Sequence, residues 1–277
     1  MSGPKPSEKH TAAVAWNPAQ YAANSAVQQS WAREVIARLH LRGNEHILDV
    51  GCGDGKVTAE IARAVPKGKV LGVDASPEMI AFAQKSFPNS KNPNLQFQIC
   101  DARKIDRLGG SVDIVFSNAA LHWVDDHEAV VRGAAAILKA GGRLMVSCGG
   151  RGNAHDVFLA LRPEMRLQRW REYFRKMPIP YFFHSPEDYK KWLPRHGFMT
   201  RALELAPKDA VYGSEEGFKT WLRTTWLPYV QRIPENLRED FIAHVARRYL
   251  AKHTPDAEGK VHVRMVRLEI DAVKAES

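Results

Sequence analysis

The hydrophobic pattern of the first half of the chain predicts strands and helices in alternation. Apolar runs of strand length lie at residues 46–50, 70–74, 95–99, 112–117 and 143–148. Between them, apolar side chains recur at helical spacing, as Val57, Ile61 and Val65 do after the first run. Five such alternations predict a mainly parallel, doubly wound sheet.

The pattern changes after residue 149, where helices no longer alternate with strands. Residues 150–194 and 209–258 predict inserted helices, and strand-like segments at 197–205 and 261–273 would return the chain to the sheet. We therefore predict an α/β fold with a seven-stranded Rossmann-like sheet and helical lid insertions. The ligand of such a sheet binds outside the carboxyl ends of its strands.

This organisation divides the chain into three predicted regions. Residues 1–39 form an N-terminal tail and a helical cap. Residues 40–150 form the α/β core that binds the ligand, and residues 151–277 form the lid helices with the last two strands. No internal repeat or low-complexity segment interrupts them.

Two sequence patterns predict where helices begin. Ser76 followed by Pro77 is typical of an N-cap and the first residue of a helix. Asp125 and Glu128 match a capping box, which predicts a helix that continues to Lys139. Both helices would follow a strand, as the alternating pattern requires.

The ligand site is predicted at the end of the first strand, where Gly51, Gly53 and Gly55 form a turn before a helix. Backbone amides and the positive end of a helix attract a polar ligand there. A dinucleotide fingerprint would place its third glycine where this chain has Lys56. Asp49, two residues before the first glycine, would repel a pyrophosphate but accept hydrogen bonds from an ammonium group. The turn therefore favours a ligand with an amino-acid part and no phosphate.

Two further strands end in acidic residues at the same edge of the predicted sheet. Asp74 lies roughly 20 residues beyond the glycines, where nucleotide-binding folds place the carboxylate that binds ribose hydroxyls. Asp101 follows the third strand and suits an acceptor for an exocyclic adenine amine, with the Ala102 amide facing a ring nitrogen. These positions predict a nucleoside beside the glycine turn.

Composition and length are those of an ordinary globular protein. Of the 277 residues, 44% are hydrophobic and 26% are charged, and no apolar run approaches the roughly 20 residues that span a bilayer. The first ten residues are polar and lack the apolar core of a secretory signal. The three cysteines are odd in number and have no metal-ligand spacing. We therefore expect a cytoplasmic protein with no metal site and no membrane contact.

The net charge of +9 raises the question of an acidic partner. Basic residues are densest over residues 162–176, where several recur at helical spacing. Such a stretch is either a surface for nucleic acid or another acidic partner, or a solvated helix face. Aromatic residues are not interleaved with the basic ones as a stacking platform would require. We favour the solvated face and do not expect nucleic acid to bind.

The order of motifs over residues 16–148 resembles that of the class I S-adenosyl-L-methionine (SAM) methyltransferases. Their first motif is matched by residues 49–55, Asp-Val-Gly-Cys-Gly-Asp-Gly. The resemblance implies SAM as the cofactor and S-adenosyl-L-homocysteine as its product. It assigns the methionine part of SAM to Asp49, Gly51, Gly53 and Gly55, the ribose to Asp74 and Ala75, the adenine to Asp101 and Ala102, and further cofactor contacts to Tyr21, Asn118 and Leu121.

Two smaller groups of that class share further residues with the chain. Residues 16–18, Trp-Asn-Pro, with Tyr21 resemble the opening of the trans-aconitate methyltransferases. Gln28 and residues 121–124, Leu-His-Trp-Val, resemble the insect juvenile hormone acid methyltransferases. Both groups make methyl esters of carboxylic acids, although the trans-aconitate enzymes typically carry Gln where this chain has His122. The resemblance implies substrate contacts from Gln28, Gln29, His122 and Trp123, with Gln28 and His122 as the catalytic residues.

The sequence leaves two kinds of methyl acceptor open. A carboxylate with a pKa of about 4 is ionised at neutral pH, so it needs orientation by donors such as Gln28, Gln29 and His122. An amine or phenol would need a proton removed, and His122 could serve as that base. We favour carboxyl O-methylation of a small molecule, with N- or phenolic O-methylation of a natural product and RNA or protein methylation as alternatives.

The later half of the chain adds an expectation about the acceptor. We expect most of its many aromatic residues to lie in the core and a few to line an apolar pocket, which favours a hydrophobic carboxylic acid, while its basic residues would steer an anion. We expect a monomer or a weak homodimer. A non-catalytic scaffold fits poorly because the series from Asp49 to Asp101 is intact, and a nicotinamide dehydrogenase fits poorly because of Lys56.

Overall fold

Seven strands form one sheet in the computed structural model, which describes Pro18 and residues 26–276 and, for residues 26–28, only the backbone. They are β1 (His46–Val50), β2 (Lys69–Asp74), β3 (Leu95–Ile99), β4 (Val112–Asn118), β5 (Leu138–Gly149), β6 (Phe198–Tyr212) and β7 (Val261–Lys274). Their order across the sheet is β3-β2-β1-β4-β5-β7-β6. The predicted seven-stranded Rossmann-like sheet is confirmed.

The strand directions locate the crevice of this sheet. The first five strands run parallel, and β7 lies antiparallel between β5 and β6. Strands β2 and β3 extend the sheet on one side of β1, whereas β4 and β5 extend it on the other. This reversal opens a crevice outside the carboxyl ends of β1 and β4. Strand β6 runs well beyond its predicted end at residue 205, because it pairs with β7 over its whole length.

Helices and short 3₁₀ turns connect the strands. The helices are α1 (Ala26–Ala37), α2 (Lys56–Ala64), α3 (Pro77–Ser86), α4 (His127–Ile137), α5 (His155–Arg166), α6 (Pro186–Arg195), α7 (Glu215–Thr225), α8 (Leu227–Val230) and α9 (Arg238–Leu250). The 3₁₀ turns lie at Ala102–Leu108, Leu121–Trp123, Arg171–Phe174 and Glu235–Leu237. We refer to residues 150–196 and 213–260 as the helical insertions, and they confirm the predicted interruption of the sheet. Every described helix is too short or too polar to cross a lipid bilayer.

The helix starts follow the side chains that cap them. Ser76 Oγ accepts a hydrogen bond from the Met79 amide at 3.2 Å, which confirms Ser76 as the N-cap of α3. The predicted cap of α4 is wrong by one residue, because Asp126 Oδ1 accepts the backbone N–H three residues further on at 2.9 Å. Asp125 bonds instead to Arg103 Nη1 at 2.8 Å. Helix α4 also ends two residues before its predicted end, since β5 begins directly after it.

Three groups of buried apolar side chains stabilise the fold. On one face of the sheet, Ile47 and Phe116 pack with residues of α1, α2 and α3. On the other face, Leu48 and Val115 pack with residues of α4 and α6. Neighbouring residues of a strand point to opposite faces, so each strand contributes to both cores. The third group lies around Trp170 and packs the helical insertions against Ala210 of β6 and Val261, Val263 and Met265 of β7.

Candidate active site

The turn between β1 and α2 lies at the crevice of the sheet. Gly51, Gly53 and Gly55 have φ values of +79°, +53° and +80°, which residues with a β-carbon rarely adopt. A β-carbon on Gly51 would lie 2.1 Å from that of Ala120. Gly51 therefore lets the backbone of this turn approach the segment that follows β4.

The end of β2 meets the same turn through the Asp74 carboxylate. Its Oδ2 accepts a hydrogen bond from the Gly53 amide at 3.1 Å, and its Oδ1 accepts one from the Ser76 amide at 2.9 Å. Burial raises the pKa of Asp74. Ala75 is exposed beside it. The structure thus brings the predicted ribose carboxylate into contact with the predicted methionine-binding turn.

Asp49 lies beneath this turn and is only 2% exposed. Thr58 Oγ1 donates a hydrogen bond to Asp49 Oδ2 at 2.7 Å. Burial, with a smaller contribution from the negative Asp74, nevertheless raises the pKa of Asp49 to about 7. A buried carboxylate of this kind is stabilised most by a cation brought beside it, such as an ammonium group.

One cleft contains most of the predicted methionine-binding residues. Its lining consists of Gln29, Asp49, Gly51, Cys52, Gly53, Asp54, Lys56, Val57, Asn118 and Ala119. Within it, Asp54 Oδ2 is buried, lies 3.5 Å from Lys56 Nζ and accepts no hydrogen bond from the described residues. Buried carboxylate oxygens beside a glycine turn fit the amino-acid part of SAM. The residues present therefore fit the cofactor that the sequence predicts.

Asp101 and Ala102 lie at the end of β3, outside this set of lining residues. The Asp101 carboxylate accepts a hydrogen bond from the Arg103 backbone amide at 2.9 Å and pairs with the Arg103 guanidinium at 2.6 Å. The guanidinium lowers the pKa of Asp101, which keeps the carboxylate ionised. The adenine contact of Asp101 and Ala102 stays a prediction.

The segment after β4 forms the opposite wall of the cleft. Asn118 ends the strand, and Ala119 follows with φ of +57° and donates its amide N–H to the Ser147 carbonyl at 2.8 Å. Leu121 is buried, and its carbonyl lies 2.6 Å from His127 Nε2. Asn118 therefore lines the cleft, whereas Leu121 anchors the turn in the core. The cofactor contacts of these two residues stay predictions.

His122 is held by the backbone of β5. The Gly149 amide donates a hydrogen bond to His122 Nδ1 at 3.3 Å, so the proton of the neutral ring lies on Nε2. Burial lowers the pKa of His122 to about 3, and the positive charge of Arg267, with a smaller contribution from a charge on His127, opposes protonation as well. His122 is therefore a neutral imidazole at physiological pH, with Nε2–H as its donor.

Aromatic rings surround this histidine, one from the neighbouring residue Trp123 and two from the helical insertions. The ring centroids of Trp123, Tyr181 and Phe183 lie 5.6, 6.2 and 6.1 Å from that of His122. Tyr181 and Phe183 stack on each other at 5.5 Å, and the Phe182 amide donates to the His122 carbonyl at 2.9 Å. Trp123, a predicted substrate contact, thus lies in an aromatic wall beside His122.

Helix α1 carries the remaining predicted substrate residues. Gln29 lines the cleft, and its Nε2 donates a hydrogen bond to Glu60. Glu60 also pairs with Arg33 at 2.9 Å, which ties α1 to α2. Tyr21 and the side chain of Gln28 lie outside the described residues, so their roles stay predictions.

No sequence pattern indicated one residue of this region, Arg267 on β7. It is 4% exposed, and its Nε and Nη2 donate to Ser147 Oγ and Asn118 Oδ1 at 3.2 and 3.1 Å. Its guanidinium carbon lies 5.6 Å from the ring centroid of Trp31 on α1. Apolar and polar side chains alternate along residues 261–273, as in a strand with one solvated face. Only the pairing of β7 inside the sheet therefore reveals that Arg267 is buried.

Known proteins resemble this chain in sequence and in fold. Residues 47–142 match the family model described as a methyltransferase domain. A trans-aconitate 2-methyltransferase of Deinococcus radiodurans is 37% identical over 232 residues, which cover 79% of this chain and 84% of the relative. A trans-aconitate 2-methyltransferase of Variovorax paradoxus is 27% identical over 270 residues, which cover 94% of this chain and 98% of the relative.

A solved structure agrees with these relatives in fold. Phosphoethanolamine N-methyltransferase 2 of Haemonchus contortus, in complex with SAM, superposes with a TM-score of 0.57 at 18% identity, covering 94% of this chain and 57% of that one. The chain belongs to the class I SAM-dependent methyltransferases, and its cofactor is SAM. Within that class, it resembles the trans-aconitate 2-methyltransferases.

Proposed function

We propose that the enzyme methylates a carboxylate oxygen of a small organic acid and releases a methyl ester. SAM supplies a methyl group that its sulfonium centre activates for in-line displacement. The chain has to align the acceptor and exclude water, because an ionised carboxylate needs no proton removed. The observation that carries the proposal is the hydrogen bond from the Gly149 amide to His122 Nδ1, which leaves Nε2–H as the donor of the neutral ring.

Two features favour His122 as a donor over His122 as a base. The Gly149 N–H already occupies Nδ1, so Nε2–H is the group that the ring can offer to an acceptor. A general base works best with a pKa near the operating pH, and the pKa of His122 is lowered to about 3. A neutral imidazole donor suits an anion, whereas an amine or phenol would require a base, and an imidazole with a pKa this low is a poor one.

We further propose that helix α1 supplies an amide group that contacts the acceptor. Gln29 lines the cleft, and an amide has two N–H donors, of which one is directed at Glu60. We assign Gln29, together with Gln28 one residue earlier, to orient the acceptor with the Nε2–H of His122. Trp123 and its aromatic neighbours would pack against the body of the acid.

The basic stretch of residues 162–176 supports a small acceptor rather than a macromolecule. Arg169 pairs with Asp240, and Arg162 lies over the Phe158 ring at 5.7 Å. In these contacts the basic side chains interact with other groups of the same protein, as they do on a solvated helix face. The two trans-aconitate 2-methyltransferase relatives, whose named substrate is a carboxylic acid, give independent support.

The test is transfer of labelled methyl from SAM to a panel of acceptors. The panel contains trans-aconitate and aliphatic, terpenoid, fatty and aromatic acids, each of the last four beside an amine and a phenol of similar size. Product from an acid that releases labelled methanol in mild base is a methyl ester, and this is the expected result. Base-stable label on an amine or phenol, with no acid methylated, would contradict the proposal.

A further inference from the structure

One buried carboxylate oxygen lies in the cofactor cleft without a hydrogen bond from the described residues. It belongs to Asp54, which lies between Gly53 and Gly55 in the glycine turn and is only 6% exposed. Asp54 Oδ1 accepts the Lys56 amide at 3.2 Å, whereas Oδ2, the oxygen in question, lies 3.5 Å from Lys56 Nζ. Charge-assisted hydrogen bonds are typically about 2.8 Å long. A buried carboxylate oxygen without a close donor is costly, so it points to a ligand that supplies one.

We propose that Asp54 and Lys56 bind the two charged groups of the amino-acid part of SAM. Asp54 Oδ2 accepts a hydrogen bond from the α-ammonium group, and Lys56 Nζ donates one to the α-carboxylate. Neither residue is among the cofactor contacts that the sequence predicts. The inference concerns the cofactor alone, so it does not depend on the acceptor that is methylated.

The charges of this pair are complementary to those of an α-amino acid. Such a ligand carries its ammonium and its carboxylate on one carbon atom, and the two charged atoms of the pair are likewise close together, at 3.5 Å. Both residues line the cleft. The charge of Asp54 acts inside it, because burial raises the pKa of the Cys52 thiol and the negative charges of Asp49, Asp74 and Asp54 raise it further. Each charge of the ligand can therefore meet its opposite in the cleft.

The backbone of the glycine turn explains why a side chain is needed for the α-carboxylate. Five of its amides already donate hydrogen bonds within the protein, and they are those of Gly51, Cys52, Gly53, Gly55 and Lys56. A ligand carboxylate must therefore find another donor. Among the described residues that line the cleft, the basic one is Lys56, and its side chain is 33% exposed. Its ammonium group can donate in three directions, so it can bind Asp54 and the ligand together.

Asp49 and Asp54 contribute to ammonium binding in different ways. Asp49 lies beneath the turn, and its Oδ2 already accepts the Thr58 hydroxyl at 2.7 Å. Burial raises the pKa of Asp49 to about 7, so its charge is the one that changes with pH. Replacement of Asp54 should therefore weaken SAM binding and leave its rise between pH 5.5 and pH 7.5 in place. A substitution that disturbed the whole turn would remove both.

The experiment compares four ligands by isothermal titration calorimetry with the full-length protein. They are S-adenosyl-L-homocysteine, its decarboxylated analogue with the ammonium alone, its deaminated analogue with the carboxylate alone, and 5′-methylthioadenosine with neither. Asp54→Asn should weaken the two ligands that carry an ammonium at least about tenfold and not weaken the other two. Lys56→Met should weaken the two ligands that carry a carboxylate by a similar factor and not weaken the other two, whereas Lys56→Arg should bind all four as the wild type does.

Glu215→Gln and Lys219→Met are the matched controls, since Glu215 and Lys219 form an ion pair at 2.7 Å in α7, outside the lining of the cleft. They should leave all four affinities unchanged. The inference is overturned if the wild type binds 5′-methylthioadenosine as tightly as S-adenosyl-L-homocysteine. It is also overturned if Asp54→Asn or Lys56→Met weakens all four ligands equally, because the residue would then only support the turn.

The two Lys56 variants decide the matter even if Asp54→Asn does not fold, since the inference assigns both residues to one ligand. Failure of the proposed function is a separate result, because it would be seen as absence of ester in the labelled-methyl assay. The expected affinities without any ester formed would support the roles of Asp54 and Lys56 and remove only the proposed reaction.

Discussion

The cofactor cleft and the helical insertions are built by different kinds of interaction. The cleft rests on backbone: three glycines with positive φ form its turn, and backbone amides bond to Asp74 at the end of a strand. The wall beside His122 rests on side chains, because the rings of Tyr181 and Phe183 reach it from a separate segment. The cleft therefore depends on neighbours along the chain, whereas the wall beside His122 depends on tertiary packing.

This difference teaches where specificity resides in such an enzyme. The backbone of the glycine turn binds the cofactor, which is the same whatever the acceptor is. Substitutions in the wall of side chains around His122 can change its shape and polarity without disturbing the glycine turn. We therefore expect changes in the glycine turn to remove cofactor binding, and changes around His122 to alter the acceptor reaction while SAM still binds.

The largest expected effect is that of Gly51→Ala. The new methyl group would meet the Ala120 β-carbon at 2.1 Å, and φ at this position is +79°. Because the turn must move, we expect SAM affinity to fall at least about 100-fold and the free energy of unfolding to fall by about 3 kcal/mol. Isothermal titration calorimetry and thermal unfolding measure the two effects.

Gly109→Ala is the matched control for this substitution. Gly109 also has positive φ, at +67°, but no atom lies within 4 Å of the added methyl group. It should lower the free energy of unfolding by about 1 kcal/mol and leave SAM affinity unchanged. Equal losses of SAM affinity in the two variants would show that the close approach at Gly51 does not matter.

The second effect is on the acceptor side, where His122→Ala should lower kcat/KM for an acid about 30-fold. The cause is loss of the Nε2–H donor, so SAM affinity should change less than about twofold. His122→Gln restores an N–H donor but cannot act as a base, and it should recover most of the activity. Full inactivity of the Gln variant with an intact fold would favour the base mechanism.

A third prediction concerns the pH dependence of SAM binding. Burial raises the pKa of Asp49 to about 7 without ligand, and an ammonium group favours the ionised carboxylate. SAM affinity should therefore rise about 20-fold between pH 5.5 and pH 7.5, with a proton released on binding below pH 7. Asp49→Asn should bind weakly and lose most of this dependence. A wild-type affinity that does not change with pH would contradict the assignment.

The smallest effect is expected from Tyr189→Phe in helix α6. The Tyr189 hydroxyl lies 2.8 Å from His127 Nδ1, while His127 Nε2 bonds to the Leu121 carbonyl. Loss of the hydroxyl leaves a buried ring nitrogen without its partner, which should lower the free energy of unfolding by about 1–2 kcal/mol. Denaturant unfolding measures this, and kcat/KM should stay within about threefold of the wild type. A larger loss of activity would mean that α6 acts directly on the reaction.

Most of the fold and the cofactor turn could be predicted because their signals are local. Gly51, Gly53 and Gly55 mark a turn by themselves, and a carboxylate such as Asp74 at a strand end needs only the sheet to bring it there. The helix start at Asp126 was missed because Asp125 bonds to Arg103 instead of capping the helix. Arg103 lies far from Asp125 along the chain, so a local sequence pattern does not reveal this contact.

The acceptor side could be predicted only in outline. The sequence indicated His122 but left donor and base open, since the choice depends on a hydrogen bond from Gly149, 27 residues away. Arg267 could not be identified, because its burial follows from the pairing of β7 with β5. Protonation states and buried charges depend on tertiary neighbours, which spacing along the chain does not reveal.

The most direct test of the account is the protonation state of His122 in the enzyme saturated with S-adenosyl-L-homocysteine. Nitrogen NMR of the imidazole, assigned with His122→Gln, reports which ring nitrogen carries the proton as pH changes. We predict a neutral ring with its proton on Nε2 throughout the range from about pH 5 to pH 8. A ring that takes up a second proton near pH 6–7, or that carries its single proton on Nδ1, would contradict the neutral Nε2–H donor and favour His122 as a general base.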